Sequence, residues 1–329
     1  MSKRYIGPIV ACSVLLAAGC ADTEPEQATP QGELRAPAAA EALVARTDMF
    51  VDRAPASAQM IFVGRDESVV PAGQDEAVFV PFSTFSVERN GLPNEFPPAD
   101  TLADLLARAG VRNGSIVIVG EPIPAGRAFA AFDYLGMADE VALYDGGIAA
   151  LRRAGSDTAA AGADTATAAD DSIAGDTAAA PRSAAGASLE TDVREDMIVD
   201  AEWVNARLND PDVAILDARP PAEYSGETPG EGVTRPGHIP GARNVFWQTL
   251  VESAELPTLK SEAELRRIFR DAGVDDGDTV VAYCRTGGQA SFLYTVARYL
   301  GYDVKLYDGS FVDWSATDYP VEEGAGAPQ

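Results

Sequence analysis

One histidine, His238, and three cysteines are all that 329 residues offer of the imidazole and thiolate side chains that bind transition metals. A tetrahedral His/Cys cluster cannot be assembled from so few. Cationic side chains are scarce as well: 25 Lys and Arg stand against 51 Asp and Glu, a formal net charge of -26. Nucleic-acid binding needs a basic face, so that class of ligand is excluded. The apolar run Ile6 to Ala18 is too short for a comfortable membrane span.

That run has a different use. Lys3 and Arg4 precede it, and it ends Leu15-Leu16-Ala17-Ala18-Gly19-Cys20. A charged start, a short apolar stretch and a small-residue exit make a secretory signal. The exit resembles a bacterial lipobox, although Ala17 stands where leucine is commoner. Residues 1–19 are therefore expected to be a signal peptide and Cys20 the lipidation site at the mature N-terminus. Ala21 next to it implies, by likeness to Gram-negative lipoproteins, passage to the outer membrane. The expected location is the bacterial cell envelope, lipid-anchored and facing the periplasm, since two or more acyl chains hold a protein firmly. Residues 20–40, rich in Pro, Ala, Gln and acids, read as a tether.

Cysteine bookkeeping then isolates one residue. Cys12 leaves with the signal and Cys20 is capped, so Cys284 is the one free thiol and no internal disulfide can form. An unpaired thiol in an oxidising compartment is a liability unless it is used. Its setting is Tyr283-Cys284-Arg285-Thr286-Gly287-Gly288-Gln289-Ala290-Ser291. The run Asp278-Thr279-Val280-Val281-Ala282 before it reads as a buried strand. Ala290 to Leu300 after it has helical spacing and stops at Gly301. Cys284 thus sits where a strand ends and a helix begins, facing amide N–H groups and the positive end of a helix dipole. Both favour thiolate, so the expected pKa is below the free value of roughly 8.5.

Around this loop the chain falls into two similar parts. Ala109-Gly110-Val111-Arg112-Asn113-Gly114 is answered by Ala272-Gly273-Val274-Asp275-Asp276-Gly277, and Leu143-Tyr144-Asp145-Gly146 by Leu306-Tyr307-Asp308-Gly309, both at a shift of 163 residues. This is a duplicated unit and not a short-period solenoid. Residues 41–153 and 196–325 are the expected domains. Residues 154–195, dominated by Ala, Gly, Ser, Thr and Asp, are expected to be a disordered linker of roughly 35 Å r.m.s. span. In the second part strands and helices alternate: Val213 to Leu216, a helix opened by the capping box Ser261-Glu262-Ala263-Glu264, the Val280 strand, the Ser291 helix and the Lys305-Leu306-Tyr307 strand. Alternation of this kind implies an α/β fold, a parallel sheet with helices on both faces and ligands beyond the carboxyl ends of the strands.

The second part resembles the rhodanese family, and the whole chain is similar to tandem-rhodanese sulfurtransferases of the thiosulfate/3-mercaptopyruvate type. The stretches that carry this are Leu216-Asp217-Ala218-Arg219 with Glu223-Tyr224-Ser225-Gly226, Gly237-His238-Ile239-Pro240-Gly241-Ala242 with Asn244, Leu256-Pro257, the cysteine loop, and Tyr307-Asp308-Gly309-Ser310 with Trp314. The resemblance implies two rhodanese-like domains, with Cys284 as nucleophile and persulfide carrier. It implies Arg285, Thr286, Gly287, Gly288, Gln289 and Arg219 as substrate-binding residues, Arg219 being equally able to pair with Asp217 or Glu223. It implies thiosulfate or a similar small anionic donor, a cyanide or thiol acceptor, no metal and no organic cofactor. A 3-mercaptopyruvate donor and a carrier that hands its persulfide to a partner are the alternatives, and nothing points to an obligate oligomer. Glu223 departs from the family, standing where vertebrate-type thiosulfate enzymes carry a second arginine. A phosphatase of the Cys-x5-Arg kind would need arginine at Ala290. His238 reads as a turn-holder, and Trp247 and Trp314 as packing. In the first part the nucleophile position falls on Glu121, within Gly120-Glu121-Pro122-Ile123-Pro124-Ala125-Gly126. The prolines remove N–H donors, so that part is expected to be catalytically silent and, across so long a linker, more loosely packed on the second.

Overall fold

The β-branched runs become strands and the apolar-faced runs become the helices that cover them. The computed structural model describes residues 46–74, 76–162 and 188–324, with the side chains of 156–162 excepted. The signal, Cys12, Cys20 and the tether at 20–40 lie outside the described residues. In the first half the strands are β1 (Phe50–Val51), β2 (Gln59–Gly64), β3 (Val78–Pro81), the hairpin β4 (Val87–Arg89) and β5 (Leu92–Glu95), β6 (Ile116–Gly120) and β7 (Val141–Tyr144). Its helices are α1 (Ala99–Arg108), α2 (Pro122–Tyr134) and α3 (Gly147–Gly162). The second half holds β8 (Ile198–Val199), β9 (Val213–Asp217), β10 (Arg243–Asn244), β11 (Thr279–Tyr283) and β12 (Asp303–Tyr307). Between its strands run α4 (Ala201–Asn205), α5 (Pro221–Tyr224), α6 (Glu262–Asp271) and α7 (Gly288–Leu300), and α8 (Ser310–Ala316) follows β12.

The two main sheets are parallel throughout and share one order, β1-β7-β6-β2-β3 in the first half and β8-β12-β11-β9-β10 in the second. Short strands at the edges and a fully buried centre follow from the sequence. Ile116–Gly120 and Thr279–Tyr283 are near-continuous apolar runs, as strands covered on both faces must be. The capping box at Ser261 forms as expected, with Glu264 returning the bond.

Between the sheets, α2 packs on α7. Both helices are apolar nearly all round and buried nearly all round, as such helices must be. Gly126 sets the closeness of approach: a Cβ there would stand 2.6 Å from Phe292 Cα. Thr295 adds a bond from its hydroxyl to the Gly126 carbonyl at 3.3 Å. At the rim, the buried carboxylate of Asp133 accepts from Tyr294 at 2.6 Å, from Arg298 at 2.8 Å and from Arg194. The expectation of loose packing between the halves is therefore overturned: one continuous core includes Ile118 and Phe129 of the first half and Val280 and Leu293 of the second.

The stretch expected to be a linker from 154 begins as helix. Alanine propensity carries α3 on to Gly162 in spite of the Gly and Asp residues in it. Its far end is also ordered: Leu189 is buried, and the amides of Asp192 and Arg194 bond the carbonyls of Leu135 and Tyr134. The part from 163 to 187 lies outside the described residues.

Candidate active site

Cys284 follows the last residue of β11, a strand flanked on both sides in its sheet by β9 and β12. Its thiol faces the backbone N–H groups of Ala290, Thr286 and Gln289, whose dipoles favour the thiolate. The loop can turn this sharply because Gly287 takes φ 86 and caps α7. Any larger residue would fail there twice: the backbone is left-handed, and a Cβ would lie 2.5 Å from Asp308 Oδ1. Gly287 does not point its own amide into the cup. That N–H, like the amide of Cys284, donates to Ser310 Oγ, at 3.1 and 3.2 Å. Ser310, held at φ 55, donates its hydroxyl hydrogen bond to the Tyr307 carbonyl at 2.9 Å. The cysteine loop is therefore pinned from behind by one serine of the neighbouring strand's exit.

The remaining sequence-predicted residues divide by role. Gly288 opens α7, with Ile123 of the first half against it. Gln289 contributes its amide to the sulfur. Thr286 Oγ1 accepts from Asn94 Nδ2 at 3.1 Å, a contact from the first half. Arg285 lies beside Glu223, Nη1 to Oε1 at 3.7 Å. Arg219 is wholly buried and held by Asp217, Nη2 to Oδ2 at 2.5 Å, with a further bond to the Gly237 carbonyl at 2.8 Å. Its guanidinium also lies 4.1 Å over the Phe311 ring. His238 holds a turn, its Nδ1 2.9 Å from the Tyr224 carbonyl and its ring stacked on Tyr224. Trp314 is core, and Trp247 packs edge-on against Phe292.

Four residues that brace this arrangement have no site role in the sequence analysis: Asn94 and Arg127, and Asp308 and Ser310, which enter it only as part of the Tyr307-Asp308-Gly309-Ser310 stretch. Arg127 comes from α2 of the first half and is fully buried. It pairs with Asp308 at 2.5 Å, bonds Ser291 Oγ at 3.3 Å and the Phe85 carbonyl at 3.1 Å, reaches the Asn94 carbonyl, and stacks 3.6 Å over Phe96. Asp308 in turn accepts from the Phe96 amide at 2.7 Å. For Arg127 the signal in the sequence is an arginine in a run with no other charge before Asp133, Pro122 to Phe132.

The electrostatics correct one expectation. Burial pushes the Cys284 thiol above its ordinary pKa, outweighing the amides of Ala290, Thr286 and Gln289, while Asp217 adds to the rise. The residue is 1% exposed. Desolvation penalises a thiolate more than three N–H dipoles favour it. Chemically, the cup can hold a sulfur anion that arrives by reaction: the donors lie in place and need no reorganisation when charge develops. Three arginines of this region are matched by carboxylates, Arg219 with Asp217, Arg285 with Glu223 and Arg127 with Asp308.

Comparison with known proteins places this geometry. A family model described as "Rhodanese-like domain" matches residues 200–317. A protein of Synechococcus elongatus carrying the name "Putative thiosulfate sulfurtransferase" is 32% identical over 249 residues, which cover 70% of this chain and 71% of that one. A thiosulfate sulfurtransferase of Pseudomonas aeruginosa is 33% identical over 139 residues, covering 42% of this chain and 50% of that protein. Against most such relatives the chain matches half or less of their length. Among solved structures, SseA from Escherichia coli, described as a 3-mercaptopyruvate sulfotransferase, shares the fold with a TM-score of 0.57 at 24% identity, over 77% of this chain and 92% of that one.

Proposed function

Because the chain belongs to the rhodanese-like family, we propose that it is a sulfurtransferase that carries a sulfane sulfur on Cys284. The observation behind this reading is the ring of three main-chain N–H groups around one sulfur at a strand-to-helix junction. In the first step the Cys284 thiolate attacks the outer sulfur of a donor. With thiosulfate the S–S bond of the donor breaks, sulfite leaves with the electron pair, and Cys284 becomes a persulfide anion. A persulfide is more acidic than a thiol, and its outer sulfur is where the amides of Thr286, Gln289 and Ala290 give most help. In the second step cyanide or a thiolate attacks that outer sulfur, and the Cys284 thiolate is restored. This is covalent catalysis in two half-reactions. Each balances in atoms and charge without a metal or an organic cofactor.

Thiosulfate is the donor named by the relatives and 3-mercaptopyruvate the runner-up. A carrier that hands its persulfide to a partner draws on one specific feature, the near-complete burial of Cys284, which would shield a persulfide from stray thiols. In this reading the first half is a silent duplicate of the second. The N-terminus is a signal, and Cys20 is the lipid anchor that fixes the protein in the envelope, facing the periplasm. Loss of label from a Cys20→Ser chain in cells fed radioactive palmitate would bear on the anchor. The function itself is tested by thiocyanate production from cyanide. The intact chain should turn over steadily, and Cys284→Ser should fall to background. Equal rates in the two proteins would end the proposal, and a single burst without turnover would select the carrier.

A further inference from the structure

The two wholly buried arginines are each matched by one carboxylate, Arg219 by Asp217 and Arg127 by Asp308. At the far end of the α2–α7 seam the balance is different: two guanidiniums share the single carboxylate of Asp133. Its Oδ1 accepts from Arg194 Nη1, and its Oδ2 accepts from Arg298 Nε at 2.8 Å and from the Tyr294 hydroxyl at 2.6 Å. Burial holds that phenol well above its ordinary pKa, so it brings no charge. One positive charge is left over, in a chain whose formal net charge is -26. Among the described residues, Arg298 Nη1 and Nη2 and Arg194 Nε and Nη2 meet no hydrogen-bond acceptor. Yet the two side chains are only 25% and 28% exposed.

Both arginines line a cleft of about 110 Å³, together with Asp133, Gly136, Ala138 and Asp139. A single water needs roughly 10–15 Å³ of such space, so the cleft admits an ion of several heavy atoms. The acids around it are engaged elsewhere. Asp133 already takes its two arginines and Tyr294, Asp139 is 98% exposed and lies 3.5 Å from Arg46 Nη1, and Asp196 holds Lys305 at 2.8 Å. The arginines are held in place. Arg298 stands in the last turn of α7. The amides of Asp192 and Arg194 bond the carbonyls of Leu135 and Tyr134 at 3.0 and 2.9 Å, and a Cβ on Gly136 would collide with the Asp192 carbonyl. Two fixed guanidiniums with unused N–H groups match an oxyanion, which can accept several such bonds at once. We infer that this cleft binds a tetrahedral oxyanion of the phosphate or sulfate class, held by Arg298 and Arg194. The ion offsets the surplus charge. It also ties the two halves together, since Arg298 belongs to α7 and the Arg194 segment is bonded to the end of α2. The site is separate from the nucleophile, for Arg298 lies roughly 15 Å along α7 from Gly288 at about 1.5 Å per residue. It does not depend on the sulfurtransferase reading.

The experiment is equilibrium dialysis of the full chain against labelled phosphate and, separately, labelled sulfate, with ionic strength held constant by chloride. One equivalent should bind, and saturably, to at least one of the two ions; the tighter of them identifies the source. The thermal midpoint should rise with the same half-saturation, because the ion binds the folded chain. Arg298→Gln and Arg194→Gln should each weaken binding at least about tenfold, as expected for losing hydrogen bonds from a charged group. Asp133 keeps one arginine and Tyr294 in either variant, so its carboxylate is not left bare. Arg285→Gln, beside Cys284, should change the dissociation constant by less than about twofold. No saturable uptake of either ion at millimolar concentration would overturn the inference. So would an affinity untouched by the Arg298 and Arg194 variants, or one lost in Arg285→Gln alone. The two variants act on different segments, so failure of one to fold leaves the other, and the parent chain tests binding by itself.

Discussion

The two central strands of this molecule end in different ways, and the difference is a matter of backbone donors. After β6 the chain passes through one residue, Glu121, and enters α2 at Pro122 directly. After β11 it spends four residues, Cys284 to Gly287, before α7 begins. The sheets have the same strand order and the two helices pack on each other, so the scaffold is shared. At the first junction Pro122 and Pro124 have no N–H to give, and Glu121 is exposed with a carboxylate where an anion would have to sit. At the second junction the left-handed Gly287 lets three amides converge. One fold thus yields an inert turn or an anion cup according to loop length and the count of available N–H groups.

The first half also braces the second, and the strongest way to break the comparison is to remove what it lends. Arg127→Met leaves Asp308 buried without its cation behind Gly287. Stability in urea should fall by about 3–5 kcal/mol. Arg127→Lys should recover part of it, and turnover should fall with the loop's order. An unchanged midpoint would show that the second half holds its own loop. A subtler effect concerns the thiol. Since burial raises its pKa, the pH midpoint for alkylation of Cys284 by iodoacetamide should lie above about 8.5, where free cysteine is half ionised. The same shift has a sign for stability. The folded state holds the proton more tightly than the unfolded chain, so this contribution is intact below the ordinary thiol pKa and is lost as pH rises through the higher folded value. An alkylation midpoint below the ordinary value would mean that the amides win after all. The smallest expected change is none. A cysteine placed at Glu121 in a Cys284→Ser background should alkylate readily, being exposed, yet restore no thiocyanate formation. Any recovery would show that a helix N-terminus suffices without the cup.

Much of this was legible in the sequence, for local reasons. The cysteine at a strand end, the glycine loop after it, the strand before it and the Ser261 capping box are short-range patterns, and each lies where its residues said. The repeat places Glu121 at the junction that corresponds to Cys284, because corresponding positions can be read one against the other. What the sequence withheld was long-range. Arg127 finds Asp308 across 181 positions and Asn94 finds Thr286 across 192, and no periodicity records such pairs. The thiol's pKa was misjudged because dipoles can be inferred from a loop while desolvation depends on everything packed around it. The helical start of the stretch from 154 is hard to read from sequence because Gly and Asp interrupt the alanines that carry α3.

The seam at Gly126 and Phe292 has one more consequence. Since the halves share a core there, covalent continuity between them is not what keeps them together. A protease that nicked the chain at Arg182 would produce two fragments by denaturing gel and a single particle by light scattering, because separating them would expose the apolar faces of both long helices to water.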